Sequence, residues 1–227
     1  MHIEILIEDS SGQRLLEHLL PKLIGPHGQP HTWRLHAYRG IGRIPTGLSA
    51  TFDPSKRILL TELPRLLRGY VKTSGIDAVV VVLDADNRDC VAFLAELKAL
   101  AASCDASHLV LFRLAIEEIE AWYLGDRTAL QHAYPKARRN VLDGYEQDAI
   151  CGTWEIMADA THAGGVRSVK RAGWPLPGQL KHEWAERIGP FLDPANNRSP
   201  SFAKFRDGVR RLVGTPPTPR SMTDGPS

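Results

Sequence analysis

The sequence predicts an α/β protein in which a mostly parallel, four-stranded, Rossmann-like sheet carries helices on both faces. Strands and helices alternate through residues 1–130, and residues 79–83 form an uninterrupted apolar run. Such a run is typical of a strand that is covered on both faces. Helix-length connections between successive strands favour right-handed parallel crossovers, so we expect the order βαβαβαβ.

The first part of this pattern is a strand at residues 3–7, a helix and a second strand. Leucines along one face predict the helix, which Ser10 and Ser11 can cap. Residues 33–38 alternate enough to form the second strand. A loop rich in glycine and arginine follows at residues 39–43.

The second part of the pattern is a helix, a strand, a helix and a strand. Leucines at helical spacing predict the first helix over residues 59–70, with a kink at Pro64. The apolar strand at 79–83 comes next. The following helix has its apolar positions within residues 90–101, and a fourth strand is predicted at residues 109–114.

Beyond Asp126 the pattern is looser, because glycines and prolines separate short helical stretches. We therefore expect an α/β domain at residues 1–130 and a helical extension packed on it at residues 131–214. Ser199 should cap one helix of this extension. Residues 215–227 lack apolar content and are predicted to be a disordered tail.

The composition excludes several classes of protein. The chain has 227 residues, 43% of them hydrophobic, which is enough for a core. A formal net charge of +2 is too close to neutral to indicate a nucleic-acid partner by itself. Three cysteines without a Cys-x-x-Cys pair argue against a disulfide scaffold or a zinc site. Acidic residues near the start and no long apolar run predict a cytoplasmic protein without membrane contact.

Acidic residues follow three of the predicted strands. They are Glu8 and Asp9 after the first strand, Asp84 and Asp86 at the end of the third, and Glu117, Glu118 and Glu120 shortly after the fourth. Because the carboxyl ends of parallel strands meet at one edge of a sheet, we expect these side chains to lie close together.

Such a convergence of acids needs a positive group. Two carboxylates ~4 Å apart repel by roughly 4 kcal/mol at an effective dielectric of about 20. A divalent cation, a shared proton or a bound basic group can offset this repulsion. Oxygen ligands suit Mg²⁺ or Mn²⁺, and Mg²⁺ is commonly bound together with substrate phosphate. The edge therefore predicts metal-dependent phosphoryl chemistry.

Structural interpretations of the same acids remain open. Asp86 or Asn87 could cap the helix after the third strand, and Asp89 fits a cap better than a ligand. Glu8 could be an exposed strand end.

The acids after the fourth strand could equally complement a helix N-terminus. If that helix begins near Ile116, Glu117 and Glu120 share a face, whereas Glu118 and Glu120 do not. Glu120 is the better candidate ligand of these acids.

Three arginines are candidates for contacts with substrate phosphate. Arg39 and Arg43 flank the glycine-containing loop, where guanidinium groups and backbone amides suit phosphate, although a surface turn also explains Arg43. Arg198 belongs to a locally basic C-terminal part that could follow a nucleic-acid backbone.

Several segments together resemble a known family. On these segments the chain is similar to small stand-alone bacterial Toprim-like proteins, related to the Toprim nuclease domain of the overcoming-lysogenization-defect (OLD) proteins. The segments are Ile7-Glu8-Asp9, Tyr38-Arg39-Gly40-Ile41-Gly42, Asp84-Ala85-Asp86, Glu118-Ile119-Glu120-Ala121-Trp122 and Asn197-Arg198-Ser199-Pro200-Ser201-Phe202.

The resemblance implies a Toprim fold and Mg²⁺- or Mn²⁺-dependent cleavage of a phosphodiester bond in DNA or RNA. Hydrolysis is favoured because no topoisomerase tyrosine domain or primase zinc module accompanies the pattern. Glu8, Asp84, Asp86 and Glu120 would be catalytic and hold metal, with Glu118 as a further ligand. Glu8 could also act as the general base.

The resemblance also implies a separately encoded ATPase partner in phage defence, because the chain has no P-loop motif of its own. One departure is that Asp9 follows Glu8, where many Toprim domains have glycine. An alternative is a non-catalytic Toprim-like sensor or regulatory subunit that binds metal or nucleic acid. A haloacid-dehalogenase-like phosphatase or a sugar-nucleotide transferase is less favoured, because in the former the aspartate pair is normally on the first strand.

Overall fold

The computed structural model describes residues 1–40, 42 and 59–214, and within them it shows an α/β fold. The predicted alternation of strands and helices is confirmed. The elements are β1 (His2–Ile7), α1 (Ser10–Ile24), β2 (Thr32–Ala37), α2 (Leu59–Val71), β3 (Ala78–Asp84), α3 (Cys90–Ser103) and β4 (Val110–Ala115).

The strands of the described residues form one parallel sheet in the order β2-β1-β3-β4. β1 and β3 are the two central strands, and Ile7 pairs in register with Val82. On the other side of β3, Asp84 pairs with Ala115 at the end of β4. The carboxyl ends of β1, β3 and β4 therefore lie side by side, as the sequence predicted.

The apolar run in β3 is explained by burial on both faces of the sheet. Val80 and Val82 belong to a core with α1, whereas Val79 and Val81 belong to a second core with α2 and α3. Alternate side chains of a strand point to opposite faces, so a strand covered twice must be apolar at every position. The predicted helices on both faces are confirmed.

Further helices follow the sheet and pack on the face that α1 covers. Trp122, Trp184 and Phe202 share the core of α1 and are fully buried. The division of the chain at residue 130 stays a prediction. These helices are α4 (Glu120–Gly125), α5 (Arg127–Ala133), α6 (Arg139–Asp143), α7 (Thr153–Thr161), α8 (Gly165–Ala172), α9 (Leu176–Ile188) and α10 (Pro200–Leu212), with a 3-10 turn at Gly189–Phe191.

Helix caps correct one prediction and agree with two others. Asp9, rather than Ser10 or Ser11, caps α1, because its carboxylate accepts the Gly12 backbone N–H at 2.7 Å. Asp89 caps α3 through the Ala92 N–H at 2.7 Å. Ser199 caps α10, as predicted.

Two parts of the sequence interpretation lie outside the described residues, namely Arg43 and the tail at residues 215–227. Among the helices that the structure does describe, none combines the length and the apolar character needed to cross a membrane.

Candidate functional site

Glu8 and Asp84 lie next to each other at the carboxyl edge of the sheet. The Asp84 backbone N–H approaches Glu8 Oε2 at 3.4 Å, a long hydrogen bond, and both side chains are half-buried. Burial raises the pKa of Glu8 to about 7; the Asp84 N–H opposes the rise, and the charges of Asp86 and Asp9 add to it. Glu8 therefore changes its charge near neutral pH.

Asp84 faces the other acids of this edge. Burial raises its pKa well above the ordinary value, and the charges of Glu8 and Glu120 raise it further. A positive group nearby is needed to keep these carboxylates ionised together.

Glu120 is the most deeply buried acid of the cluster and the first residue of α4. Only 1% of it is exposed. Its Oε2 accepts a hydrogen bond from Lys181 Nζ at 3.4 Å, whereas its buried Oε1 has no hydrogen-bond partner among the described residues. Burial raises the pKa of Glu120 to about 7, against the opposing charge of Lys181.

Lys181, on α9, supplies positive charge to the cluster. Its Nζ lies 3.0 Å from Glu118 Oε1 and 3.4 Å from Glu120 Oε2, and the side chain is 19% exposed. Burial alone would lower the pKa of Lys181, but the charges of Glu120, Glu118 and Asp84 raise it above the ordinary value. The ammonium group is therefore charged at neutral pH.

Glu117 and Glu118 precede α4 and contact α7 instead of sharing a helix face. The carboxylate of Glu117 accepts backbone N–H groups of Gly152 at 2.7 Å and Thr153 at 2.9 Å, so it satisfies the N-terminus of α7. Glu118 Oε2 lies 3.3 Å from the Trp154 N–H. The suggested helix start near Ile116 is wrong.

Asp86 lies at the rim of the cluster. Its backbone has a positive φ of 48°, and its side chain is 50% exposed and pairs with Arg88 at 2.8 Å. Its backbone N–H donates to the Glu117 carbonyl at 2.8 Å. The interpretation of Asp86 or Asn87 as the cap of α3 is wrong, since Asp89 caps that helix.

Two of the three candidate phosphate-binding arginines are described, and both are exposed. Arg39 lies close to Glu8 in space, because the neighbouring Gly40 donates its backbone N–H to the Glu8 carbonyl at 3.1 Å. Arg198 lies beside α4, where its N–H donates to the Gly125 carbonyl at 2.9 Å. Their contacts with phosphate stay predictions.

Three further residues take part in this site, and sequence reasoning assigned none of them a catalytic or metal-binding role. The charge of Asp9 acts on Glu8, Asp84 and Glu120. Tyr123 Oη is buried without a hydrogen-bond partner among the described residues, and burial and then the charge of Glu120 raise its pKa. Lys181 lies in the locally basic C-terminal part of the sequence, among many other basic residues.

One signal in the sequence could have found Lys181. Lys181 is in helical register with three buried apolar residues of α9, Trp184, Ala185 and Ile188. A lysine at such a position needs a buried acid, because an unpaired charge is strongly disfavoured in a core.

The donor chemistry of the cluster fits a hard divalent cation. Glu8, Asp84 and Glu120 offer carboxylate oxygens, as Mg²⁺ and Mn²⁺ prefer, and Glu120 Oε1 is a buried acceptor that no other described residue uses. Among residues 1–40, 42 and 59–214, no group of three or more His, Cys, Asp or Glu side chains is already arranged to hold a metal ion. A cation would therefore compete with Lys181 for Glu120.

The fold and the site together define a parallel α/β domain with a buried acidic cluster at the carboxyl edge of its sheet. Comparisons with protein-family models, curated proteins and solved structures found no match for the chain.

Proposed function

We propose that this protein is a Mg²⁺- or Mn²⁺-dependent phosphodiester hydrolase of the Toprim nuclease type, acting on nucleic acid. One observation supports the proposal above the others. Glu8 follows β1, Asp84 ends β3 and Glu120 begins α4, yet the charges of Glu8 and Glu120 both raise the pKa of Asp84. Glu120 also has a buried oxygen without a partner among the described residues. Acids with such raised pKa values, gathered at a ligand-binding edge, are typical of catalytic sites.

In this proposal Glu8, Asp84 and Glu120 hold the cation, with Asp86 and Glu118 at its periphery. The bound cation would supply an acidified water and neutralise negative charge on the phosphate. Glu8 has a pKa of about 7, so its carboxylate can accept a proton from the attacking water near neutral pH. Before the cation binds, Lys181 holds Glu118 and Glu120 in position by its two salt bridges.

The experiment measures degradation of single-stranded and double-stranded DNA and RNA with Mg²⁺, with Mn²⁺ and with EDTA. Cleavage should require the metal and be lost in Glu8→Gln and Asp84→Asn. Glu96→Gln is the matched control, because Glu96 is an exposed acid on α3. Circular dichroism shows that the variants are folded. Undiminished cleavage by both site variants would contradict the assignment.

A second candidate function is a non-catalytic sensor or regulatory subunit that binds metal or nucleic acid. It is favoured by Lys181, which already places a positive charge between Glu118 and Glu120. Addition of a separately encoded ATPase separates the two candidates. Cleavage that appears only with the ATPase supports a nuclease with a partner, whereas binding without cleavage in every combination supports the sensor.

A further inference from the structure

The exposed tryptophan Trp174 stands out from the other tryptophans of the chain. It is 81% exposed, although tryptophan gains more than most side chains from burial. Trp122 and Trp184 are buried, and Trp33 and Trp154 are partly buried. The six-membered ring of Trp174 rests on Gly178 of α9, since a Cβ added there would lie 3.1 Å from Trp174 Cη2.

Trp174 borders a cavity close to the acidic cluster. The cavity has a volume of about 700 Å³, and Asp9 and Lys181 are among its lining residues. Lys181 also contacts Glu118 and Glu120, so the cavity lies beside the candidate site. On its wall, Ser10 Oγ lies 2.8 Å from His182 Nε2.

The helix that precedes Trp174 in the chain has a basic face. Arg167, Lys170 and Arg171 of α8 are all exposed, and their spacing places them on one side of the helix. The helix ends at Ala172, two residues before Trp174. Along the chain, cations that suit a phosphate backbone are therefore followed within a few residues by an aromatic surface that suits a base.

We propose that Trp174 is a stacking platform for an unpaired nucleobase, which the cavity receives while the basic face of α8 holds the neighbouring phosphates. Single-stranded nucleic acid is bound in general by a positively charged surface combined with aromatic side chains on which bases stack. A base paired within a duplex does not offer its face to a side chain. The inference rests on the proposed function and specifies its substrate as single-stranded.

The experiment is fluorescence anisotropy of the full chain with labelled oligonucleotides about 15 nucleotides long, in EDTA so that nothing is cleaved. The probes are oligo-dT, oligo-U, oligo-dT annealed to oligo-dA, and an abasic strand. The variants are Trp174→Ala, Trp174→Phe and the control Phe191→Ala. Phe191 is another exposed aromatic residue, at 45%, and it packs against His132.

Trp174→Ala should weaken binding of the single strands about tenfold or more, whereas Trp174→Phe and Phe191→Ala should retain most of the affinity. Duplex and abasic strands should bind more weakly than single strands and be insensitive to Trp174→Ala. The tighter of oligo-dT and oligo-U identifies the nucleic acid. Unchanged binding by Trp174→Ala, or wild-type binding of the duplex as tight as that of single strands, would overturn the inference.

Cleavage of the same probes with Mn²⁺ reports on the proposed function separately. Binding that depends on Trp174 without any cleavage, even after the ATPase is added, would support the stacking platform and contradict the nuclease. Metal-dependent cleavage together with binding that Trp174→Ala does not affect would support the nuclease and contradict the stacking platform.

Discussion

Two groups of acids meet at the carboxyl edge of the sheet, and they have different partners. Glu117 takes the free backbone N–H groups at the start of α7, as Asp89 does for α3. Asp84 and Glu120 face other acids, and Glu120 keeps a buried oxygen without a partner among the described residues. Acids that accept N–H groups at a helix N-terminus have ordinary structural roles. The acids without such a role, Asp84 and Glu120, are the candidates for chemistry.

The largest expected effect separates the inward acid Asp84 from the rim acid Asp86. Asp84→Asn should reduce metal-dependent cleavage about 1000-fold, because it removes a carboxylate of the proposed cation site. Asp86→Asn should reduce it less than about tenfold, since Asp86 is half-exposed and paired with Arg88. Steady-state cleavage rates of both variants and the wild type, measured at a fixed Mn²⁺ concentration, test this difference. Equal losses in the two variants would show that the rim and the interior do not differ.

Removal of Lys181 tests what neutralises the acidic cluster. Lys181→Met should lower the free energy of unfolding in EDTA at pH 8 by about 3 kcal/mol, because Glu118 and Glu120 lose their ion-pair partner. Mn²⁺ should then stabilise the variant more than it stabilises the wild type. Denaturant unfolding with and without Mn²⁺ measures both effects. A variant as stable as the wild type, with no added response to Mn²⁺, would contradict this role of Lys181.

Glu117 provides the opposite case, in which stability changes and chemistry does not. Glu117→Ala leaves backbone N–H groups of Cys151, Gly152 and Thr153 without their acceptor, so unfolding should become easier by about 2 kcal/mol. Cleavage per folded molecule should be unchanged. Thermal unfolding and cleavage rates are measured on the same sample. A loss of cleavage larger than tenfold in folded Glu117→Ala would place Glu117 in the active site.

The smallest expected effect is a dependence of stability on pH. The folded-state pKa of Glu8 is about 7, above its ordinary value of 4.5. Between these two values the folded protein binds more protons than the unfolded chain, so this contribution to stability is present at low pH and is lost as pH rises through 7.

The difference in unfolding free energy between Glu8→Gln and the wild type should therefore shift with pH. In EDTA it should favour the variant by about 2 kcal/mol more at pH 8 than at pH 4.5. With saturating Mn²⁺ at pH 8 the order should reverse, because only the carboxylate binds the ion. A difference between variant and wild type that does not change with pH would mean that Glu8 has an ordinary pKa.

The sequence was sufficient to predict the parallel sheet and the proximity of Glu8 and Asp84. Both follow from the parallel order, because β1 and β3 are neighbours and each ends in an acid. The apolar run of β3 predicted burial on both faces for the same physical reason.

The distribution of roles among the acids could not be read from spacing. Asp86 at the rim and Glu117 beside α7 both have a positive φ, of 48° and 59°, and a spacing pattern does not reveal such a backbone conformation. Capping of α1 by Asp9 rather than by Ser10 depends on where the helix begins, which a sequence pattern determines poorly.

The contributions of Lys181 and Trp174 come from tertiary packing. Lys181 is separated from Glu118 by 63 positions along the chain, and only the packing of α9 on the core brings the two together. Trp174 looks like any apolar residue in the sequence. Its exposure depends on the conformation of the turn between α8 and α9, which the sequence pattern does not give.

The most direct measurement is anomalous scattering from a crystal soaked in Mn²⁺ near pH 8, where Glu8 is ionised. We predict a manganese peak between Glu8, Asp84 and Glu120, with Lys181 Nζ withdrawn from Glu120. A fully soaked crystal with no peak there, and with the salt bridge from Lys181 to Glu120 intact, would contradict a cation site in this cluster.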